Sequence, residues 1–198
     1  MRRRFKFSFF ISLTIAFVLI GILPLVLNYR SLSAEKKVAT GLDNERFIEK
    51  IAPEVQELST YYGIRPSVLI AQAAYDSNFG QNLLAAKYHN LFAIPAQPGD
   101  DSIRLKNMER NEGNVSEVER DYAIYPSWNH ALEIYLAGLK DGSLANKNLY
   151  KILATASSIS VATQAFYRYD FTHDDDYANQ LEQIIKEYNL EKYDKQMN

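Results

Sequence analysis

Residues 66–94 read PSVLIAQAAYDSNFGQNLLAAKYHNLFAI, and the order of residue types in this stretch sets the fold. Pro66 suits the first turn of a helix, where its missing N–H costs nothing. The apolar run through Val68, Leu69 and Ala71 then predicts a helix reaching Phe79, with Gly80 as its stop. Asp76 stands near the end of that helix. A lone carboxylate on an apolar helix is costly unless it has a partner or a task. Gln72 at i−4 and Phe79 at i+3 share its face. A second apolar turn, Asn90-Leu91-Phe92-Ala93-Ile94, follows closely.

Outward from this core the pattern is mostly helical. Phe47, Ile48, Ile51, Val55 and Leu58 recur at three- and four-residue steps and predict an amphipathic helix ending at Gly63. Pro53 lies inside it and predicts a kink or a late start. Leu83 to Tyr88 reads as a short helical turn. From Ala96 to Tyr125 the pattern changes to turn chemistry and alternation, with Ile103–Leu105, Val115–Glu119 and Tyr122–Tyr125 as β-prone segments. A lobe of two or three strands is expected there. Ser127 then caps a helix from Trp128 to Lys140, and Leu149–Ala154 and Ile159–Tyr169 follow as shorter ones. Asp174 is expected to cap a last helix through Tyr177, Leu181 and Ile185 to Tyr188. The fold class is α+β, mostly helical, with a small β insertion. Such an insertion commonly forms one wall of a cleft.

The N-terminus differs in kind. Arg2, Arg3 and Arg4 precede an uncharged apolar run from Phe7 to Leu27. About 20 such residues span a bilayer, whereas the apolar cores of secretory signals are shorter. The basic tip stays in the cytoplasm. The expectation is therefore a single-pass anchor within residues 1–28, a tether over 29–43, and an extracellular domain over 44–198. Four of the 22 basic residues lie before Tyr29, leaving 18 against 24 acidic ones, a net of −6 for the outer part. That balance argues against nucleic acid as a partner. With no cysteine and three scattered histidines, neither thiolate chemistry nor a zinc site is expected. No cofactor or metal is implied. Most of the 14 Tyr and 10 Phe are expected to fill the core. The β region is rich in acids, including Glu109, Glu112, Glu117 and Asp121. Glycoside hydrolysis uses two carboxylates across a sugar bond. Asp76 and one acid of the β lobe fit that need, without the pattern itself choosing which.

The chain resembles the glucosaminidase domain of bacterial peptidoglycan hydrolases, glycoside hydrolase family 73. Ala71-Gln72-Ala73-Ala74-Tyr75-Asp76-Ser77-Asn78-Phe79-Gly80 is similar to the family's A-Q-A-A-x-E-S-x-W-G, and Asn90–Ile94 to its N-L-F-G-I. Lys106–Gly113 is similar to T-x-E-Y-x-x-G, Tyr122–Ser127 to F-R-x-Y-x-S, and Phe171–Ala178 to Y-A-T-D-P-x-Y-A. Leu190–Asp194 matches the usual ending. The resemblance covers about residues 44–194 and implies a lysozyme-like fold and an endo-beta-N-acetylglucosaminidase that cleaves peptidoglycan glycan strands after N-acetylglucosamine. It implies Asp76 as general acid and Glu109 as second carboxylate, with Glu112 the nearest rival. It also implies a sugar groove using Gln72, Phe79, Asn90, Phe92, Tyr122, Tyr125, Phe171 and Tyr177. Cell-division or wall-synthesis proteins are the implied partners, besides the membrane. Two departures stand out. Asp76 occupies the family's glutamate slot and is one methylene shorter. Phe171 occupies a tyrosine slot, and Tyr169 or Tyr167 is the expected source of the missing hydroxyl. A non-catalytic glycan- or partner-binding descendant is the alternative reading; a muramidase or lytic transglycosylase is the third.

Overall fold

The computed structural model describes residues 32–111 and 114–196. Helix α1 (Asn44–Tyr62) is capped by the Asp43 side chain, which accepts from Arg46 N at 2.8 Å. It runs on through Pro53 and ends at Gly63, whose φ of +74° closes the helix. Helix α2 (Pro66–Ser77) follows, then the short α3 (Leu83–Tyr88). The β lobe is one antiparallel hairpin, β1 (Ser102–Asn111) and β2 (Asn114–Ala123), with Ser102 opposite Ala123 and Glu109 opposite Ser116. The Tyr122–Ala123 segment is the end of β2 rather than a third strand. Helices α4 (Trp128–Asp141), α5 (Lys147–Thr155), α6 (Ile159–Arg168) and α7 (Tyr177–Glu187) complete the body. A 3₁₀ turn, Leu190–Gln196, ends it. Asp176, not Asp174, sits at the start of α7, and without a capping side-chain bond.

Helix α2 is the axis of the core. Val68, Leu69, Ile70, Ala71, Ala73 and Ala74 are all fully buried. A helix apolar on every side needs neighbours on every side, and α1, α6, α7 and the 3₁₀ turn supply them. Its N-terminus would leave unpaired N–H groups inside the protein. Asp194 answers this from the far end of the chain. Its carboxylate accepts from Ser67 N and Ser67 Oγ, each at 2.8 Å, with Arg65 Nη1 at 3.8 Å. A negative charge at a helix N-terminus is also favoured by the helix dipole.

A smaller cluster joins the β lobe to the body: Ala34, Leu83, Leu84, Leu105 and Tyr122. Part of the segment expected as a tether contributes to it. Ala34 N donates to Lys106 O at 2.8 Å, Ala34 O accepts from Leu84 N at 3.2 Å, and Val38 N donates to Gln81 O at 2.7 Å. The segment thus lies between α3 and β1. The expected span Phe7–Leu27 lies outside the described residues. Among the described residues no helix is long and apolar enough to cross a membrane.

The turn after α2 is held by close packing. Asn78, Phe79 and Gly80 all have positive φ, at 50°, 54° and 71°. A Cβ on Gly80 would lie 2.8 Å from ring atoms of Phe47 and Trp128. Gly80→Ala is therefore expected to destabilise the fold by about 2–4 kcal/mol. Thermal melts should show this as a Tm lower by about 5–10 °C; an unchanged Tm would contradict the packing described.

Candidate active site

A cleft of about 990 Å³ opens beside the end of α2. Its walls include the α2 end with Tyr75 and Asp76, the 92–95 turn, the hairpin with Asn107, Met108 and Arg120, and the 170–177 loop. Ala34 and Glu35 line it as well. Its aromatic wall is a chain of ring contacts. Phe92 stacks on Tyr135 at 3.9 Å, Tyr135 meets Phe171 at 6.2 Å, and Tyr75 meets Tyr177 edge-on at 5.3 Å.

Asp76 is half-buried in this wall. Its Oδ1 accepts from the Tyr177 hydroxyl at 2.8 Å. Loss of water around the carboxyl outweighs that bond and pushes its pKa up to about 7. Asp76 can therefore hold a proton at neutral pH and give it up, as a general acid must. Its backbone is equally fixed, since Asn82 Nδ2 donates to Asp76 O at 3.0 Å while Asn82 Oδ1 caps α3 at Ala85 N. Behind the acid, the Tyr135 hydroxyl donates to Gln72 Oε1 at 2.9 Å. The Gln72 amide nitrogen eases ionisation of Tyr177 without reaching hydrogen-bond geometry. Tyr135 and Tyr177 are both pushed well up by burial first and the nearby Asp76 second, so both stay protonated donors.

Of the residues expected to line a sugar groove, Phe92, Phe171 and Tyr177 meet the expected acid Asp76 at the cleft. The others lie elsewhere. Gln72 is fully buried behind the acid. Phe79 packs on Phe47 and Tyr188. Asn90 is a buried brace: its Nδ2 donates to Ile94 O at 2.9 Å and Ala123 O at 3.0 Å, and its Oδ1 accepts from Ile94 N. Tyr122 is buried in the small cluster under the hairpin. Tyr125 is buried against the His130 ring, and burial pushes its hydroxyl up to about 12. For Glu109 only the backbone is described: it lies in β1, two residues past Asn107, which lines the cleft. Glu112 lies outside the described residues. Tyr167 and Tyr169 do not line the cleft; Tyr75, Tyr135 and Asp174 do, and none of these was expected at the site from sequence. Burial, then the nearby Asp174 charge, pushes the pKa of the Tyr75 hydroxyl up. An aromatic beside the acid on an otherwise apolar helix was the available signal.

A helical body and a small two-stranded lobe define the lysozyme-like class of fold, and its cleft carries an acid raised to a pKa of about 7. The chain belongs to the glucosaminidase family: the model of mannosyl-glycoprotein endo-beta-N-acetylglucosaminidase matches residues 52–190. It is 33% identical over 153 residues to a probable N-acetylmuramidase of Lactococcus lactis, covering 76% of this chain and 35% of that one. To the exo-glucosaminidase LytG of Bacillus subtilis it is 26% identical over 184 residues, covering 90% of this chain and 65% of that one. The chain thus spans between about a third and two thirds of the length of these relatives. Among solved structures, the catalytic domain of the autolysin Auto from Listeria monocytogenes is similar with a TM-score of 0.68 and 26% identity. That match covers 98% of this chain and all of that one.

The Tyr177 bond stabilises the carboxylate form of Asp76. Tyr177→Phe is expected to raise the Asp76 pKa, by on the order of one unit. A carboxyl-carbon NMR titration checks it: a midpoint that stays near 7 or falls would break the assignment of Tyr177 as the donor.

Proposed function

We propose that the protein is a membrane-anchored peptidoglycan hydrolase that cuts the glycan strand outside the cell. The observation that carries this is the Asp76 carboxyl, stripped of water in an open cleft and raised to a pKa of about 7. In this reading Asp76 gives its proton to the glycosidic oxygen as the bond to the sugar breaks. A second carboxylate stabilises the cation that forms, or activates water. Glu109 is proposed for that role, because it follows the cleft-lining Asn107 and Met108 on β1. Phe92, Phe171 and the Tyr177 ring offer apolar surface to the sugars. The apolar run Phe7–Leu27 would hold the domain at the outer membrane face, within reach of the wall. Family membership and the activity of the exo-glucosaminidase relative support the substrate class.

One observation favours a second reading. The acid is aspartate, and a displacement of about 1 Å can cost roughly 10²-fold in rate. A glycan-binding descendant without activity would show the same fold. Digestion of purified cell wall separates the two. The hydrolase reading expects new reducing ends, lost by at least about 10²-fold in Asp76→Asn. Mass analysis of the products names the bond cut. Binding without cutting, with activity gained only in Asp76→Glu, would establish the descendant instead.

The pH dependence follows from the raised pKa. Activity that needs protonated Asp76 should decline as pH rises through about 7. The same group makes stability pH-dependent. Its unfolded pKa is about 3.9, so between there and about 7 the folded chain holds the proton more tightly. Stability therefore falls as pH rises across that window. Asp76→Asn keeps an acceptor for Tyr177 and removes the charge. It is expected to raise Tm by several degrees at pH 8 and to change it little at pH 4. Equal effects at both pH values would contradict the buried-charge account.

A further inference from the structure

Residues 33–38 precede the stretch matched by the family model, residues 52–190, yet they build one corner of the cleft. Their backbone is bonded on two sides. Ser33 pairs with Lys106 of β1, Lys37 pairs with Asn82, and Val38 N donates to Gln81 O at 2.7 Å. Between these points the chain makes a tight turn, closed by Lys36 N donating to Ser33 O at 3.1 Å. Ala34, at 4% exposure, anchors the turn in the small cluster with Leu83, Leu84, Leu105 and Tyr122.

Glu35 stands in that turn, directly after the buried Ala34. It is exposed and lines the cleft together with Asp76. An exposed glutamate is usually no more than a solvated surface group. Two things set Glu35 apart. Its backbone is fixed, and it shares a support with the acid: Asn82 pairs with Lys37 and also donates from Nδ2 to Asp76 O at 3.0 Å. Its carboxylate is also unclaimed. Lys36 and Lys37 follow it in the chain, yet no side chain among the described residues bonds or pairs with it.

A carboxylate accepts hydrogen bonds at two oxygens and donates none. A glycan strand offers the complement, with hydroxyl and amide N–H donors on its sugars. Hydrogen bonds to a charged acceptor are stronger than neutral ones. Because the backbone beneath Glu35 is already ordered, only its side-chain torsions remain to be fixed on binding. We propose that Glu35 is a further substrate-binding residue, brought to the cleft by the turn at 33–36: its carboxylate accepts hydrogen bonds from hydroxyl or amide N–H groups of the bound glycan. It takes no part in bond cleavage. This rests on reading the cleft as a glycan site, and the test keeps the two apart.

The full chain is compared with Glu35→Ala, which removes both acceptor oxygens, and with Glu35→Gln, which keeps the shape and removes the charge. On soluble glycan fragments from purified cell wall, Glu35→Ala is expected to raise KM about 5- to 20-fold. That is the scale of a hydrogen bond to a charged group less the ordering of one side chain. Glu35→Gln should shift KM the same way by less. Both should leave kcat within about twofold, since Asp76 and Tyr177 are untouched, and Tm within about 2 °C, since the side chain is exposed. Lys36→Gln, at a neighbouring charge that does not line the cleft, should leave KM unchanged. Binding is measured separately by calorimetry in the Asp76→Asn background, where Glu35→Ala should weaken it by the same factor. Unchanged KM and unchanged binding in Glu35→Ala would overturn the proposal. So would a fall in kcat of about 10²-fold at constant KM, which marks a reacting group. A KM rise that comes with a clearly lowered Tm, or one of equal size in Lys36→Gln, would overturn it too. The first marks a structural side chain and the second a general effect of charge. If the wild type cuts nothing but Asp76→Asn binds fragments and Glu35→Ala weakens that binding, the hydrolase reading fails and this one stands. If the protein neither cuts nor binds fragments, both fail.

Discussion

Burial of helix α2 along all but its last turn constrains everything around it. Its backbone is satisfied along its length, but its two ends are not, and each end is solved by a distant part of the chain. At the N-terminus the Asp194 carboxylate takes the Ser67 N–H and hydroxyl. At the C-terminus the chain turns through three residues of positive φ against Phe47 and Trp128. Only the last turn of the helix can reach solvent, and that turn carries Tyr75 and Asp76. The site is where the core helix is forced to emerge.

That placement explains the electrostatics. A carboxyl leaving a fully packed helix keeps apolar neighbours on its inner side and loses water there. The one direct hydrogen bond from Tyr177 lowers the cost of the charge without cancelling it. The hydroxyls behind it, on Tyr135 and Tyr177, are themselves pushed towards the neutral form. Among the described residues, the surroundings thus offer hydrogen bonds but no positive charge in hydrogen-bond contact with the carboxyl. A salt bridge at the same place would have held Asp76 ionised and left no proton to give. By contrast, the ion pairs on the hairpin, Arg104 with Asp121 at 2.6 Å and Lys106 with Glu117 at 2.6 Å, are solvent-exposed. Such pairs contribute little to stability.

Several residues named from sequence kept their importance but changed their task. Helical spacing correctly places Gln72 on the face of Asp76, yet spacing cannot say whether that face meets a cleft or another helix. Here α4 brings Tyr135 over Gln72, and the amide becomes a buried link behind the acid. Asn90 turns both ends of its amide inward to brace the Asn90–Ile94 turn, for the same reason. Tyr75 went unnoticed because an aromatic inside an apolar run reads as core. Its exposure depends on where the 170–177 loop lies, about a hundred residues further on.

The sequence by itself determined the helical elements, a small β lobe, the central apolar helix and the acid at its end. These follow from local rules: apolar spacing, caps, glycine stops and strand alternation. Only the tertiary structure decided which side chains face the cleft, that Asp194 closes the core helix, that residues 33–38 lie between α3 and β1, and that Asp76 holds a proton near pH 7. Each of these depends on contacts between segments far apart in the chain. Desolvation above all belongs to a three-dimensional neighbourhood, and no run of residues contains it.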